Sequence, residues 1–311
     1  METWQIVLII LGIMVTIGII GFLICGSIFY HFVFDRRKGD KDFAKNENIE
    51  AKNSPDRLWY FSQNLEELTI CSFDKLTLKG YLLRNNSNKL AIILHGYRGR
   101  YYSSVSQARI FYESGFDVFM PNNRAHDTSE GKQFSMGPKE VKDLLNWINY
   151  LLKINPNYQI ALMGISMGAH IVMLSVGQSM PNNVKCFIED CGYTNLMDEL
   201  KFQLKKSMKV AHPKFLMWLN NLYIQIFHHF SMNSSTENSL PKTKIPGLFI
   251  HGDKDNFVPF DNLEKNYSLM SNKVDKKKVV FENKEHNRAI TDIDKYKMEV
   301  INFVNKYIEW K

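Results

Sequence analysis

Charged side chains are absent from the start of the chain, since no Asp, Glu, Lys or Arg occurs between Thr3 and Phe34. Ile6 to Ile28 consists almost entirely of aliphatic residues, Phe, Met and Gly, and as a helix it would measure roughly 35 Å, which is enough to cross a bilayer. The chain also lacks the basic residues that begin a secretory signal peptide, and the run is too long for the apolar part of one. Of a buried core helix, a cleaved signal peptide and an uncleaved anchor, the sequence favours an anchor over residues 5–34.

Basic residues are missing on one side of this run and abundant on the other. Those that follow it are Arg36, Arg37, Lys38, Lys41 and Lys45. Because Lys and Arg concentrate on the cytoplasmic side of a membrane helix, we expect a single-pass protein of the cell membrane. Its catalytic domain is expected in the cytoplasm, held to the lipid bilayer through residues 5–34.

Large apolar residues are scarce in residues 35–56, a charged and Asn-rich stretch that is typical of a flexible stalk. The globular part is expected to occupy residues 57–311. Cysteine is scarce throughout, and Cys186 and Cys191 would lie about 16 Å apart on opposite faces of one strand. The sequence therefore indicates no disulfide framework.

Nucleic-acid binding is not indicated, although the formal net charge is +7. The basic excess lies in scattered runs such as Lys273 to Lys278, which are more typical of solvated helix faces. No nucleic-acid motif accompanies these runs. Attraction to an anionic cytoplasmic leaflet is the expected use of the charge.

Short apolar runs rich in β-branched residues recur along the globular part. They read KLAIILHG, FDVFMPN, QIALMG, VKCFIED, IPGLFIHG and KKVVFEN, with segments of helical spacing between most of them. Fully apolar strands that alternate with helices predict a mostly parallel sheet with helices on both faces, here preceded by a hairpin around Asp74. Tyr193 to Lys244 is far too long for an ordinary connection, so a helical cap insertion is predicted at about 195–243.

A serine between two glycines directly follows one of these predicted strands. Gly164-Ile165-Ser166-Met167-Gly168 fits G-x-S-x-G, with QIALM before it and a helical pattern after it. A sharp turn from strand to helix strains the backbone at the serine and leaves little room beside it, which glycine tolerates. Ser166 is therefore the candidate nucleophile.

A serine hydroxyl needs a base and a group that orients the base. In this strand-turn-helix context the partners follow in the order acid and then histidine. Asp253 and Asp255 come directly after one predicted strand, and His286 follows the last strand. The backbone amides of Tyr97 and Met167 are the candidate oxyanion hole.

Two further histidines near these segments are expected to be structural. His95 turns the chain before Tyr97, and His170 lies one helical turn after Ser166. His170 has no second ligand nearby in the sequence, so no metal site and no cofactor are predicted.

These motifs resemble the α/β-hydrolase superfamily, and within it membrane-anchored bacterial serine hydrolases similar to the prolyl-oligopeptidase-like and BEM46-like groups. The resemblance covers roughly residues 65–307 and is carried by LHGYRG, NNRAHDTSEGK, GISMG, IEDCGYT, HGDKDNFVP and the histidine at position 286. It implies an α/β-hydrolase fold and identifies Asp255, the later aspartate of HGDKDNFVP, as the acid. Asp127 and Glu285 stand where such proteins commonly have glycine, and Glu285 could raise the pKa of the base.

The sequence therefore predicts a serine hydrolase that cleaves an ester, thioester or similar acyl bond in a small-molecule substrate. A catalytically inactive membrane-tethered interaction protein and a small-peptide peptidase are the alternatives. The segment KFLMWLNNLYIQIFHHFS has a wider apolar face than a surface helix requires. Trp218 and Phe227 within it are expected either to pack the cap onto the sheet or to line an apolar pocket over Ser166.

Overall fold

The structure, a computed structural model, describes residues 2–36, 54–210 and 213–308. Its centre is an eight-stranded sheet with the order β1-β2-β4-β3-β5-β6-β7-β8. The strands are β1 (Leu65–Cys71), β2 (Thr77–Leu83), β3 (Lys89–Leu94), β4 (Asp117–Pro121), β5 (Gln159–Ile165), β6 (Val184–Asp190), β7 (Gly247–Gly252) and β8 (Lys276–Phe281). The pairs β1–β2 and β2–β4 are antiparallel, and β3 to β8 are parallel. The predicted parallel sheet with a leading hairpin is confirmed.

Helices lie between the successive parallel strands, as the helical spacing of those segments predicts. The α-helices of the described residues are α1 (Thr3–Val33), α2 (Pro55–Phe61), α3 (Val105–Glu113), α4 (Pro138–Ile154), α5 (Met167–Ser175), α6 (Leu196–Met208), α7 (Pro213–His228), α8 (Asp261–Leu269) and α9 (Ile293–Val304). The last helix begins at Ile293, directly after a 3-10 turn at Ala289–Thr291 and Asp292.

Alternation along the central strands divides the core into two apolar clusters, one on each face of the sheet. In β3, Leu90 and Ile92 belong to one cluster, whereas Ala91 and Ile93 belong to the other. Successive side chains of a strand point to opposite faces, so a strand that is apolar at every position is buried on both. The first cluster includes residues of α1, and the second includes residues of α9.

Helix α1 has an exposed and a packed part. Every residue from Ile6 to Gly21 is exposed, whereas Phe29, Tyr30 and Val33 are buried in the core. By length and composition α1 could cross a membrane. The N-terminal part of α1 is thus an exposed apolar helix, and its C-terminal part belongs to the folded body.

Most of the expected stalk, 35–56, lies outside the described residues. Its first two residues contact the body: Asp35 forms a β-bridge with Gln133, and Arg36 donates hydrogen bonds to the carbonyls of Asp127 and Ser129. Helix α2 begins the body at Pro55, two residues before the expected boundary.

The insertion between β6 and β7 contains α6 and α7, and α7 packs against the C-terminal part of α1. The rings of Phe22 and Tyr223 lie 5.8 Å apart, and those of Tyr30 and His228 stack at 3.5 Å. Gly26 makes this approach possible, because a Cβ there would lie 2.2 Å from Cγ of Tyr223.

Candidate active site

Ser166 occupies the sharp turn between β5 and α5. Its backbone is left-handed at φ 56°, a conformation that costs energy in any residue but glycine. The two flanking glycines permit the turn: a Cβ on Gly164 would lie 2.2 Å from the carbonyl oxygen of Gly168, and one on Gly168 would lie 2.3 Å from that of Leu94. The close packing of the turn explains why both positions lack side chains.

His286 joins the serine to an aspartate. Its Nε2 lies 3.0 Å from Oγ of Ser166, and its Nδ1 lies 2.7 Å from Oδ2 of Asp255. The three residues follow β5, β7 and β8, whose carboxyl ends meet at one edge of the sheet. A hydrogen-bonded chain of nucleophile, base and carboxylate results.

Asp255 rather than Asp253 contacts the histidine. Oδ1 of Asp255 accepts the amides of Phe257 and Val258, both at 2.9 Å, so this carboxylate is held from both sides. Oδ1 of Asp253 instead accepts the amide of Asn283 at 2.6 Å. Asp253 therefore links the loop after β7 to the loop after β8, and its carboxylate does not contact His286.

A second histidine, His251 in β7, also contacts Asp255. Its Nε2 lies 3.1 Å from Oδ2 of Asp255 and 3.2 Å from the carbonyl oxygen of Val258. Both oxygens can only accept, so Nε2 carries the hydrogen. Burial raises the pKa of Asp255, but the hydrogen bonds from His251 and His286 outweigh it and lower the pKa to about 2. A role for His251 was not predicted from the sequence, where its position four residues before Asp255 was the available signal.

Cys191 is a further neighbour of this group. Its Sγ and one ligand atom each of Asp255 and His286 lie within 4.8 Å of one another. Burial raises the pKa of the Cys191 thiol well above its usual value, so the thiol is neutral at pH 7.

A cleft of about 210 Å³ opens beside Ser166. Its lining residues are Gly96, Tyr97, Gly99, Ser103, Ser104, Ile165, Ser166, Phe257, His286 and Asn287. Met167 is the first residue of α5, so its amide has no acceptor within the helix. The loop at Gly96 passes close to the serine, because a Cβ there would lie 3.3 Å from Cβ of Ser166. Tyr97 and Met167 thus flank the nucleophile from two different elements.

His95 holds the loop that carries Gly96 and Tyr97. Its Nδ1 donates to the carbonyl of Gly96 at 2.8 Å, and its Nε2 accepts the amide of Asn123 at 3.1 Å. Burial lowers the pKa of His95 to about 3, so the ring is neutral at pH 7, as this bonding requires. The geometry fits the structural role expected of His95.

His170 is also buried and bonded at both nitrogens. Nδ1 donates to the carbonyl of Tyr193 at 2.8 Å, and Nε2 lies 2.7 Å from Oγ of Ser234, from which it accepts. Burial lowers its pKa to about 3. His170 therefore links α5 to the insertion.

Trp218 and Phe227 are not among the residues that line the cleft. They are 59% and 48% exposed, so the expectation that they cover Ser166 requires correction. The inner face of α7 buries Met217 and Ile224, and Trp218 follows Met217 by about 100° around the helix and points outward. The aromatic residues at the cleft are instead Tyr97 and Phe257, and the ring of Phe257 lies 4.9 Å from that of His286.

Asp127 and Glu285, which stand where proteins of the resembled family commonly have glycine, have different surroundings. Asp127 has φ 44°, in the left-handed region where glycine is common and where Asp is better tolerated than most residues. Its carboxylate lies 3.3 Å from the guanidinium of Arg100. Glu285 is exposed to solvent, which weakens any effect of its charge on His286.

A larger cleft of about 890 Å³ lies at the opposite edge of the sheet, near the first residues of β3 and β5. Asparagine side chains dominate its lining, and it contains none of Ser166, Asp255 and His286. Because ligands of parallel α/β sheets bind at the carboxyl ends of the strands, the smaller cleft is the candidate site.

Comparison with known proteins agrees with this arrangement. Residues 90–231 match a family model described as the alpha/beta hydrolase fold. The uncharacterized protein YqkD of Bacillus subtilis is 26% identical over 272 residues, which are 86% of this chain and 87% of that protein.

Among solved structures, an esterase from Pyrococcus furiosus has a TM-score of 0.67 at 22% identity, covering 81% of this chain and 94% of that one. An acylaminoacyl peptidase from Pyrococcus horikoshii has a TM-score of 0.59 at 18% identity, covering 81% of this chain and 44% of that one. These similarities concern the fold.

Proposed function

We propose that this chain, which has the α/β-hydrolase fold, is a membrane-anchored serine hydrolase that cleaves an ester, thioester or similar acyl bond. The observation that carries the proposal is the hydrogen-bonded chain from Oγ of Ser166 through His286 to Asp255. The esterase among the similar structures supports the same class of reaction.

The proposed reaction begins when His286 takes the proton of Ser166 at Nε2 and Oγ attacks the acyl carbon. Asp255 keeps the hydrogen on Nδ1 and stabilises the imidazolium that forms. The carbonyl oxygen becomes an oxyanion, for which the amides of Tyr97 and Met167 are the proposed donors. His286 then protonates the leaving alcohol, thiol or amine, and the acyl group remains on Ser166.

Water completes the cycle in the reverse roles. His286 accepts one proton of a water molecule as the oxygen attacks the acyl-enzyme, and it returns that proton to Oγ of Ser166 as the carboxylic acid leaves. The cleft places His286 and Ser166 on the same open space, so water can reach both. No group beyond the side chains and backbone of this chain is needed for these steps.

The anchor part of the proposal rests on α1. An apolar helix near the N-terminus could also be a signal sequence. Cleavage at the C-terminal end of α1 would, however, remove Phe29 and Tyr30 and expose the core that they cover. This packing favours a helix that stays attached. The basic residues that follow the helix favour the cytoplasmic side for the catalytic domain.

A fluorophosphonate probe tests the nucleophile directly. The wild-type chain should be labelled, and Ser166→Ala should not. Ser103→Ala is the matched comparison, because Ser103 is another serine of the same cleft and should leave the labelling intact. Labelling that survives in Ser166→Ala and disappears in Ser103→Ala would reject the proposed nucleophile, and a wild-type chain that reacts with no such probe would favour the inactive interaction protein.

A substrate series identifies the acyl bond. The kcat/KM values for p-nitrophenyl esters and for thioesters should exceed those for short peptide anilides. Higher rates with the anilides would favour the small-peptide peptidase.

A further inference from the structure

Helix α7 carries an apolar stripe that faces away from the body. Phe215, Trp218, Leu222 and Ile226 are spaced by three or four residues, so they share one side of the helix. They are 69%, 59%, 38% and 50% exposed. The opposite side buries Met217 and Ile224. A helix that only holds the insertion onto the sheet needs the buried side and not the outer stripe.

The outer stripe lies beside the apolar surface of α1. Tyr223 contacts Phe22 and Gly26, and His228 stacks on Tyr30, so α7 runs alongside the C-terminal part of α1 in the same direction. The N-terminal half of α7 therefore extends toward residues 6–21 of α1, which are exposed.

We propose that the outer stripe of α7 lies in the lipid leaflet that surrounds the C-terminal part of α1. This inference rests on the anchor in the proposed function. Residues 3–21 of α1 measure about 28 Å, close to the ~30 Å hydrocarbon thickness of a bilayer. The hydrocarbon boundary then falls near Phe22, where Tyr223 of α7 meets α1. Trp218, about 7 Å before Tyr223 along α7, lies near this boundary, where aromatic side chains are enriched.

Charge around α7 fits a lipid surface better than an apolar protein partner. Lys209 and Lys214 are exposed next to the start of α7, and Lys205 and Lys206 are exposed on the last turns of α6. Lysine side chains at the end of a partly immersed helix can extend to the anionic headgroups, while the apolar side of the helix contacts the acyl chains. Ile24 and Ile28 of α1 are also exposed, so the C-terminal part of α1 adds apolar surface of its own.

The loop beside the cleft is bonded to the end of α1. Tyr97 lines the cleft, and its hydroxyl donates to the carbonyl of Val33 at the end of α1, at 2.8 Å. Arg98 donates to the carbonyl of Phe32. The loop beside Ser166 is thus attached to the C-terminal end of α1, next to the proposed membrane surface.

Site-directed fluorescence in proteoliposomes tests the lipid contact without any activity assay. In a Cys25→Ser/Cys71→Ser background, an environment-sensitive fluorophore is attached to one new cysteine at a time. The variants are Trp218→Cys, Leu222→Cys and Ile226→Cys, with Ile17→Cys as the membrane reference and Met298→Cys as the solvent reference. Met298 is 53% exposed on α9, which packs on the other face of the sheet.

The vesicles contain phosphatidylcholine and phosphatidylglycerol, with or without a nitroxide on the acyl chains. We expect quenching at positions 218, 222 and 226 to exceed that at position 298 several-fold and to approach that at position 17. Circular dichroism of each labelled variant checks that the fold is retained.

Three results would overturn the inference. Quenching at the three α7 positions equal to that at position 298, with position 17 quenched, would place the stripe in water. Blue-shifted emission without nitroxide quenching, together with cross-linking between chains, would assign the stripe to a second copy. Absence of quenching at position 17 as well would reject the anchor itself, although the serine chemistry would stand if probe labelling persisted.

Discussion

At the residue scale, Ser166 and His286 act as one unit, because the hydroxyl is reactive only while Nε2 of the histidine can take its proton. Ser166→Ala and His286→Ala should each lower kcat by roughly 10⁴ to 10⁶, and the double variant should be little worse than either one. The measurement is kcat on a p-nitrophenyl ester in protein purified from an esterase-deficient host. Near-normal turnover in either single variant, or multiplicative losses in the double variant, would contradict the mechanism.

Asp255 and Asp253 are a matched pair for the role of the acid. Asp255 accepts four N–H groups, from Phe257, Val258, His251 and His286, and asparagine would turn a donor toward some of them. Asp255→Asn should therefore lower kcat by roughly 10³ to 10⁴, in keeping with the loss of the correct histidine tautomer. Asp253→Asn loses one acceptor of a loop amide and should retain most of the activity. The reverse ranking would reassign the acid.

Glu199 in α6 links stability to pH. Burial raises its pKa to about 7, although Gln203 donates a hydrogen bond to it. Between pH 4.5 and 7 the folded chain therefore holds a proton that the unfolded chain has lost, and the free energy of unfolding falls as pH rises through this window. Glu199→Gln removes this contribution. The free energy of unfolding of the variant, relative to that of the wild type, should therefore increase by up to about 3 kcal/mol from pH 5 to pH 8.

Denaturant unfolding at the two pH values measures the effect of Glu199. Glu282→Gln, at an exposed position, is the control and should shift the free energy of unfolding equally at both. A Glu199→Gln difference that does not change with pH would show that this carboxyl has an ordinary pKa in the folded state.

At the element scale, α1 is joined to the body through its C-terminal part, and a matched pair of glycines tests this. Gly26→Leu should destabilise the protein by roughly 1 to 3 kcal/mol, because its side chain would overlap the ring of Tyr223. Gly18→Leu should be neutral, since no atom of the residues that the structure describes lies within 4 Å of a Cβ there. Melting temperatures in detergent compare the two. Equal effects would mean that α1 and α7 do not pack together in the folded protein.

At the scale of the whole molecule, the proposed orientation follows from the basic residues after α1. A phosphatase fused to the C-terminus should stay inactive in a bacterial host, whereas a fluorescent cytoplasmic reporter fused there should be bright. The same phosphatase behind a cleavable signal peptide is the positive control. An active phosphatase on this chain would place the catalytic domain on the other side of the membrane.

The sequence by itself determined the architecture and the candidate site. Apolar runs buried on both faces, with helical segments between them, are sufficient to predict a parallel sheet, because fully apolar strands have no solvent face. The turn at Ser166 was equally predictable, since Gly164 and Gly168 are required by a local close approach. His286 followed from its order along the chain and its place after the last strand.

The tertiary structure decided what the surfaces of α1 and α7 do. Periodicity shows that α7 is apolar on a wide arc, but it cannot show which part of that arc meets the body, because the contact depends on where α1 lies. Only the packing of Tyr223 against Gly26 turns Trp218 outward, away from the cleft. The tertiary structure also decides the contact between His251 and Asp255, because this contact depends on the three-dimensional path of the loop after β7.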